Sequence, residues 1–122
     1  MAAWSEISLN NWKAAQALRE RYPRSSVSRA YYAAFSALTQ AFADKRLSFP
    51  GKQSPRHRDI PGMVNQVFSS KARAGEIRRN IRALYAMRLN ADYSAGRSTD
   101  AESAKEAIRS SVIILRACGV KL

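Results

Sequence analysis

Cysteine and histidine are nearly absent from this chain, which limits both its cross-links and its metal chemistry. There is one cysteine, Cys118, and one histidine, His57. A lone cysteine cannot form an internal disulfide, and the two residues fall short of the Cys and His ligand set of a zinc site. We therefore expect a cytoplasmic protein that needs no metal or cofactor.

Long apolar runs and strand-like alternation are also lacking. The longest stretch without charge, residues 30–43, is interrupted by Ser36, Thr39 and Gln40 and is too short to span a bilayer. The first ten residues have neither the basic nor the apolar segment of a signal peptide. No segment alternates at period two, and no internal repeat occurs. These absences argue against membrane, secreted, β-sheet and repeat proteins.

Negative charge is scarce. The chain has 21 Lys and Arg against 9 Asp and Glu, for a formal charge of +12. Such an excess destabilises a compact chain through self-repulsion and indicates a polyanionic partner, nucleic acid before membrane. The plain alternative is a basic surface with no ligand.

Helical periodicity dominates what is present, and it predicts an all-α fold. We expect one domain, residues 1–122, built as an up-and-down four-helix bundle with one additional short helix. The first helix, residues 8–22, would be capped by Ser8, and the second, ending near Asp44, by Ser25 or Ser26. The predicted later helices are a short one over 59–68, a central one over 76–93, and a last one capped by Ser98 or Thr99 and ended by Gly119.

Residues 46–58 contain Pro50, Gly51 and Pro55 and no acidic side chain. Proline and glycine at this density oppose regular structure, so we predict a flexible basic loop. His57 lies in this loop, where a histidine is more often exposed to solvent than catalytic.

The central helix breaks two local rules within five residues. Arg88 falls in line with the apolar face of Ile81 and Leu84, and Asp92 falls at the helix end where the macrodipole disfavours a carboxylate. Broken rules are expected where function overrides folding, so Arg88, Asp92 and the adjacent Tyr93 are candidate catalytic residues. The plain alternative is that Arg88 pairs with Asp92 and extends its charged end into solvent.

Arg78, Arg79 and Arg82 share a flank of the same helix, about a third of a turn from the apolar stripe. A phosphate chain along this flank would meet three guanidinium groups in succession. The alternative is a solvated arginine face.

Two motifs resemble those of a known family. Ser28-Arg29-Ala30-Tyr31-Tyr32-Ala33-Ala34-Phe35 on the second helix, followed by Arg88 and then by Ala91-Asp92-Tyr93, is similar to the prokaryotic HEPN domain. The likeness is to its small stand-alone subfamily with an SRAYYA signature. Arg29, within that signature, joins the candidate nucleic-acid-binding residues.

The resemblance implies a homodimer and, for many HEPN proteins, a metal-independent ribonuclease that acts as a toxin or antiviral effector, often beside a nucleotidyltransferase antitoxin. The family active site combines an arginine with a histidine four to six residues later. Arg88 matches the arginine, but Tyr93 occupies that interval and no histidine follows His57. Tyrosine, with a pKa of about 10, is a poor group for proton transfer near neutrality.

Three hypotheses follow. In the first, a HEPN-type dimer binds RNA and cleaves it, with Arg88 on the scissile phosphate, Asp92 orienting it and Tyr93 assisting or being modified. In the second, a non-catalytic HEPN module binds a nucleotide or scaffolds a nucleotidyltransferase partner. In the third, the helix of residues 59–68, a turn containing Gly75 and the arginine-rich helix form a DNA-binding helix-turn-helix.

Overall fold

The computed structural model describes residues 3–49, 53–96 and 98–122, and over these ranges its regular structure is entirely helical. Four long helices and one shorter helix confirm the predicted all-α, HEPN-like architecture. They are α1 Trp4–Leu18, α2 Pro23–Asp44, α3 Ile60–Val67, α4 Lys71–Tyr93 and α5 Ala101–Ala117, with a single 3-10 turn at His57–Asp59 before α3. Within the described ranges, no helix combines the length and the apolar character needed to cross a membrane.

The second helix lies at the centre of the bundle. Its buried positions go all round the helix, as expected when neighbours cover every side. α2 contacts α1, α3, α4 and α5, whereas α1 contacts only α2 and α5 and so lies at the rim. Buried residues from all five helices form one hydrophobic cluster. The assignment of residues 1–122 to a single domain stays a prediction.

The starts of α1 and α2 differ from the prediction because two serines have other partners. The buried hydroxyl of Ser8 donates to the carbonyl of Ala33 at 2.6 Å, and that of Ser26 donates to Ala15 at 2.6 Å. Both bonds join α1 to α2, so these serines fix the helix pair and do not cap helices. α2 begins at Pro23, whose missing N–H is not needed in a first helical turn.

The starts of α4 and α5 also differ. Ser70 accepts a hydrogen bond from the Arg73 N–H at 3.3 Å, so α4 begins at Lys71, and Gly75 lies inside the helix. The connection from α3 is therefore only residues 68–70, shorter than predicted. Asp100 caps α5 by accepting from the Ser103 N–H at 2.9 Å, and this bond lowers the pKa of Asp100. A carboxylate also suits the positive end of a helix, so Asp100 caps α5 instead of Ser98 or Thr99.

The predicted flexible loop falls partly outside the described residues, which exclude Pro50 and Gly51. Its flexibility stays a prediction. In the described part, Leu47 and Phe49 pack against the core and Pro55 is buried. The chain between α2 and α3 is thus held against the bundle at both ends.

Candidate nucleic-acid site

Arg88 lies among three tyrosine rings near the end of α4. Its guanidinium carbon is 5.2 Å from the ring centre of Tyr32, 5.7 Å from that of Tyr31 and 5.9 Å from that of Tyr93. The side chain is only 12% exposed. Aromatic faces attract a cation at these distances, so the rings hold the guanidinium in place.

The polar contacts of Arg88 leave most of its donors unused. Its Nε lies 3.2 Å from Oδ2 of Asp92, yet it is buried and its N–H does not have hydrogen-bond geometry. The hydroxyl of Ser28 donates to the same carboxylate oxygen at 3.3 Å. The pairing of Arg88 with Asp92 that the plain alternative describes is present, and three tyrosine rings lie around the guanidinium. Among the described residues, none accepts a hydrogen bond from this guanidinium.

Arg24, which is not among the predicted site residues, holds the end of α4. Its Nη1 donates to the carbonyls of Ala91 at 2.8 Å and Asn90 at 3.1 Å, and its Nη2 donates to Ser94 at 3.3 Å. The last carbonyls of a helix lack intrahelical partners and carry its negative dipole end, so a guanidinium there satisfies them. It also offsets the unfavourable position of Asp92. Arg24 lies in the first turn of α2, where the helix dipole disfavours a cation. This unfavourable position was the one sign in the sequence that Arg24 has a partner elsewhere.

His57 packs against aromatic rings and is half-buried, so the expected full exposure to solvent is wrong. Its ring stacks on Tyr85 at 5.1 Å and 25°, lies 5.2 Å from Phe35, and its Nδ1 is hydrogen-bonded to the hydroxyl of Tyr31. The 3-10 turn at its position directs the ring against α2 and α4. Burial, and secondarily the charge of Arg88, lower the pKa of His57. Burial raises the pKa of Tyr31, and Arg88 opposes this rise.

Two open clefts flank Arg88. The first, of about 490 Å³, is lined by Tyr31, His57, Arg58, Pro61, Gly62, Ile81, Arg82 and Tyr85. The second, of about 540 Å³, is lined by Leu18, Tyr22, Ser25, Ser28, Arg29, Tyr32 and Asp92. Because Arg88 contacts Tyr31 in one wall and both Tyr32 and Asp92 in the other, it lies between them. In the described ranges, no three histidine, cysteine or acidic side chains converge as metal ligands.

The other predicted residues are divided between these clefts and the far half of α4. Arg82 lines the first cleft, and Arg29 lines the second, where it donates to Asn11 at 3.1 Å. Arg78 donates to the side chain of Asn65 on α3, and Arg79 is exposed beside it. The structure thus brings Arg82 and Arg29 near Arg88, but places Arg78 and Arg79 farther toward the start of the helix.

The two sequence motifs are parts of one cluster. Ser28, Tyr31 and Tyr32 of α2 contact Arg88 and Asp92 of α4. The family model described as HEPN domain matches residues 1–121, which is essentially the whole chain. No curated protein and no solved structure matches the chain. The chain belongs to the HEPN domain family.

Proposed function

We propose that this chain is an RNA-binding HEPN protein in which Arg88 donates hydrogen bonds to a phosphodiester. One observation carries the proposal: the side chain of Arg88 is only 12% exposed and its Nε is buried, yet no described residue accepts a hydrogen bond from the guanidinium. A poorly solvated cation with unused donors is costly unless something supplies acceptors. A phosphate offers oxygen acceptors and negative charge in a geometry that suits guanidinium.

The surroundings of Arg88 favour a single-stranded nucleic acid. Tyr22 is 55% exposed in the cleft that Asp92 lines, so it presents a ring on which an unpaired base can stack. Arg29 and Arg82 flank the site, and Arg78 and Arg79 would hold the strand farther along α4. The net charge of +12 supports binding of a polyanion over its length.

Binding is better supported than cleavage. Metal-independent cleavage, which the family resemblance implies, needs a group that accepts a proton near neutrality. Nδ1 of His57 is already engaged by Tyr31, and Tyr93 is a phenol at an exposed helix end. The catalytic roles predicted for Arg88, Asp92 and Tyr93 stay a prediction.

We also propose that two chains associate near this site as a homodimer. Leu89 and Tyr93, four residues apart on α4, are exposed. Exposed apolar surface of this kind is typical of a contact surface. In solution the particle should have twice the mass of the 13.6 kDa chain, measurable by sedimentation equilibrium. Monomers at all concentrations would contradict this.

The family resemblance alone supports the wider role that we propose, a cytoplasmic toxin–antitoxin or defence module with a nucleotidyltransferase or other antitoxin partner. Expression of the chain by itself should slow cell growth. Co-expression with the product of a neighbouring nucleotidyltransferase gene should restore growth and yield a stable complex. Normal growth on expression alone would contradict the toxin role without affecting RNA binding.

The RNA experiment measures binding and cleavage together. Purified protein is mixed with labelled single-stranded RNA and a chelator, binding is followed by fluorescence anisotropy, and the RNA is then separated on a denaturing gel. We expect salt-dependent binding and intact RNA. Cut RNA would favour the ribonuclease alternative, and preference for duplex DNA would favour a helix-turn-helix regulator. No binding to RNA would contradict the proposal.

A further inference from the structure

The carboxylate of Asp92 is an acceptor with spare capacity in the second cleft. Its Oδ2 accepts from the hydroxyl of Ser28 at 3.3 Å and lies 3.2 Å from Nε of Arg88. Among the described residues, none donates a hydrogen bond to Oδ1, and the side chain is 28% exposed. Because an ionised carboxylate accepts through both oxygens, Asp92 can take further N–H donors from a ligand in the cleft.

A negative group beside a site for phosphate needs a physical reason. A carboxylate repels a polyanion, and the chain has only 9 Asp and Glu against 21 Lys and Arg. Arg88 neutralises part of this charge, yet its Nε–H does not have hydrogen-bond geometry toward Oδ2. The ion pair therefore leaves acceptor positions of Asp92 available, and a ligand with two adjacent donors would fill them.

The same cleft also contains a donor with spare capacity. Arg29 lines the cleft and gives one hydrogen bond, from Nη1 to the side chain of Asn11 at 3.1 Å. A guanidinium carries five N–H donors, so Arg29 retains donors for a ligand. The cleft thus offers a carboxylate that accepts hydrogen bonds and a guanidinium that donates them.

Of the four RNA bases, guanine matches this combination best. Its Watson–Crick edge places two donors side by side, N1–H and the N2 amino group, which suit the two oxygens of a carboxylate. Its O6 and N7 are adjacent acceptors that suit a guanidinium. Adenine, cytosine and uracil each have a single donor group on the Watson–Crick edge, so each would leave a carboxylate oxygen without a partner.

The walls of the second cleft also suit a base. Its volume of about 540 Å³ falls within the range of small-molecule sites. Tyr22 and Tyr32 line it and present rings on which a base can stack. Arg88 contacts both Tyr32 and Asp92, so a base in the cleft and a phosphate on Arg88 can belong to the same strand.

We propose that the second cleft selects guanine in single-stranded RNA, with Asp92 accepting from N1–H and the N2 amino group and Arg29 donating to O6 and N7. Asp92 then determines the sequence preference, whereas Arg88 supplies affinity that does not depend on sequence. This inference rests on the RNA binding proposed above and names the base that the site prefers.

Three RNA strands test the preference on the unaltered protein. The first is a short oligoadenosine, the second carries one central guanosine, and the third carries inosine there, which keeps N1–H, O6 and N7 but lacks the N2 amino group. Fluorescence anisotropy should show the guanosine strand binding about tenfold more tightly than oligoadenosine, as expected for a bidentate contact to one base. The inosine strand should fall between them.

The preference should depend on Asp92. Asp92→Asn places an amino group against a donor of guanine and should remove the difference between the guanosine and adenosine strands. Glu106→Gln removes the same charge from an exposed position on α5 and should keep this difference. Arg88→Met should weaken both strands by the same factor. Circular dichroism identifies any variant that fails to fold, and the inosine strand then decides the matter on the unaltered protein.

The outcomes separate this inference from the proposed function. Equal affinity for the guanosine and adenosine strands, with both weakened in Arg88→Met, would overturn guanine selection and leave RNA binding standing. A guanosine preference that persists in Asp92→Asn would also overturn the inference, because the base would then be recognised elsewhere. Failure to bind any of the three strands would overturn both.

Discussion

Replacing Arg88 by methionine separates its role in RNA binding from its role in the fold. Methionine keeps an apolar stem of similar length between the tyrosine rings but removes the charge and all five N–H donors. If Arg88 is present to bind phosphate, the variant should fold normally and bind RNA poorly. If Arg88 is a structural cation, the variant should unfold easily.

The contacts of Arg88 allow the effect on stability to be worked out. The three rings at 5.2–5.9 Å and the carboxylate of Asp92 contribute about 2 to 3 kcal/mol when cation–π and partly exposed ion-pair terms are combined. Burial of the Nε–H donor without an acceptor costs about 1 to 3 kcal/mol. Because these terms oppose each other, Arg88→Met should change the free energy of unfolding by less than about 1 kcal/mol.

The effect on RNA should be larger and should depend on salt. Loss of a charged hydrogen bond to phosphate corresponds to about a tenfold or greater loss of affinity. Loss of one phosphate contact should also reduce the slope of log affinity against log salt by about 0.7 for single-stranded RNA. Fluorescence anisotropy at several salt concentrations measures both quantities, and urea unfolding measures stability.

Arg109→Met is the matched control, since Arg109 is exposed on α5 and lines neither cleft beside Arg88. It removes the same charge from the chain and should change RNA affinity far less. Equal losses of affinity and slope in the two variants would mean that RNA senses only net charge. An unfolding free energy lowered by several kcal/mol in Arg88→Met would instead assign the residue to the fold.

Three further predictions concern stability and can be checked by urea unfolding. Arg24→Gln removes the guanidinium from three carbonyls at the end of α4 and should destabilise the protein by about 1 to 2 kcal/mol, whereas Arg73→Gln, at an exposed position, should not. Ser8→Ala removes a buried hydrogen bond between α1 and α2 and should lower the free energy of unfolding by about 1 kcal/mol. Ser5→Ala, at an exposed position, should change it little, and equal effects of the two substitutions would contradict the role of the buried hydrogen bond. Because the folded pKa of His57 lies below its ordinary value of 6.5, the unfolded chain binds the proton first as pH falls, so stability should decline below about pH 6.5. This decline should be weaker in His57→Gln, and an identical pH profile in both proteins would contradict the lowered pKa.

The sequence predicted the fold well because helical periodicity reports which faces are buried. The apolar stripe of Ile77, Ile81 and Leu84 is buried in α4. The helix starts were predicted less well, because a serine near a helix start has several available partners. Ser8 and Ser26 bond to another helix instead of capping their own, and no local pattern distinguishes these uses.

Part of the candidate site could also be predicted from the sequence. Arg88 and Asp92 broke rules that operate within one helix, and both belong to the tyrosine cluster. His57 and Arg24 were not found because their partners are distant in sequence. The ring of His57 contacts residues on α2 and α4, and Arg24 contacts carbonyls that are 66 to 70 residues away. Such contacts depend on how the helices pack, which periodicity does not report.

The most direct measurement of the central proposal follows the Nε–H resonance of Arg88 by NMR as single-stranded RNA is added. In the free protein this group lacks a hydrogen bond, and its assignment follows from the missing signal in Arg88→Met. We predict a saturable shift of this resonance with the same dissociation constant as RNA binding measured by anisotropy. An Arg88 signal that stays fixed while RNA saturates the protein would contradict the account.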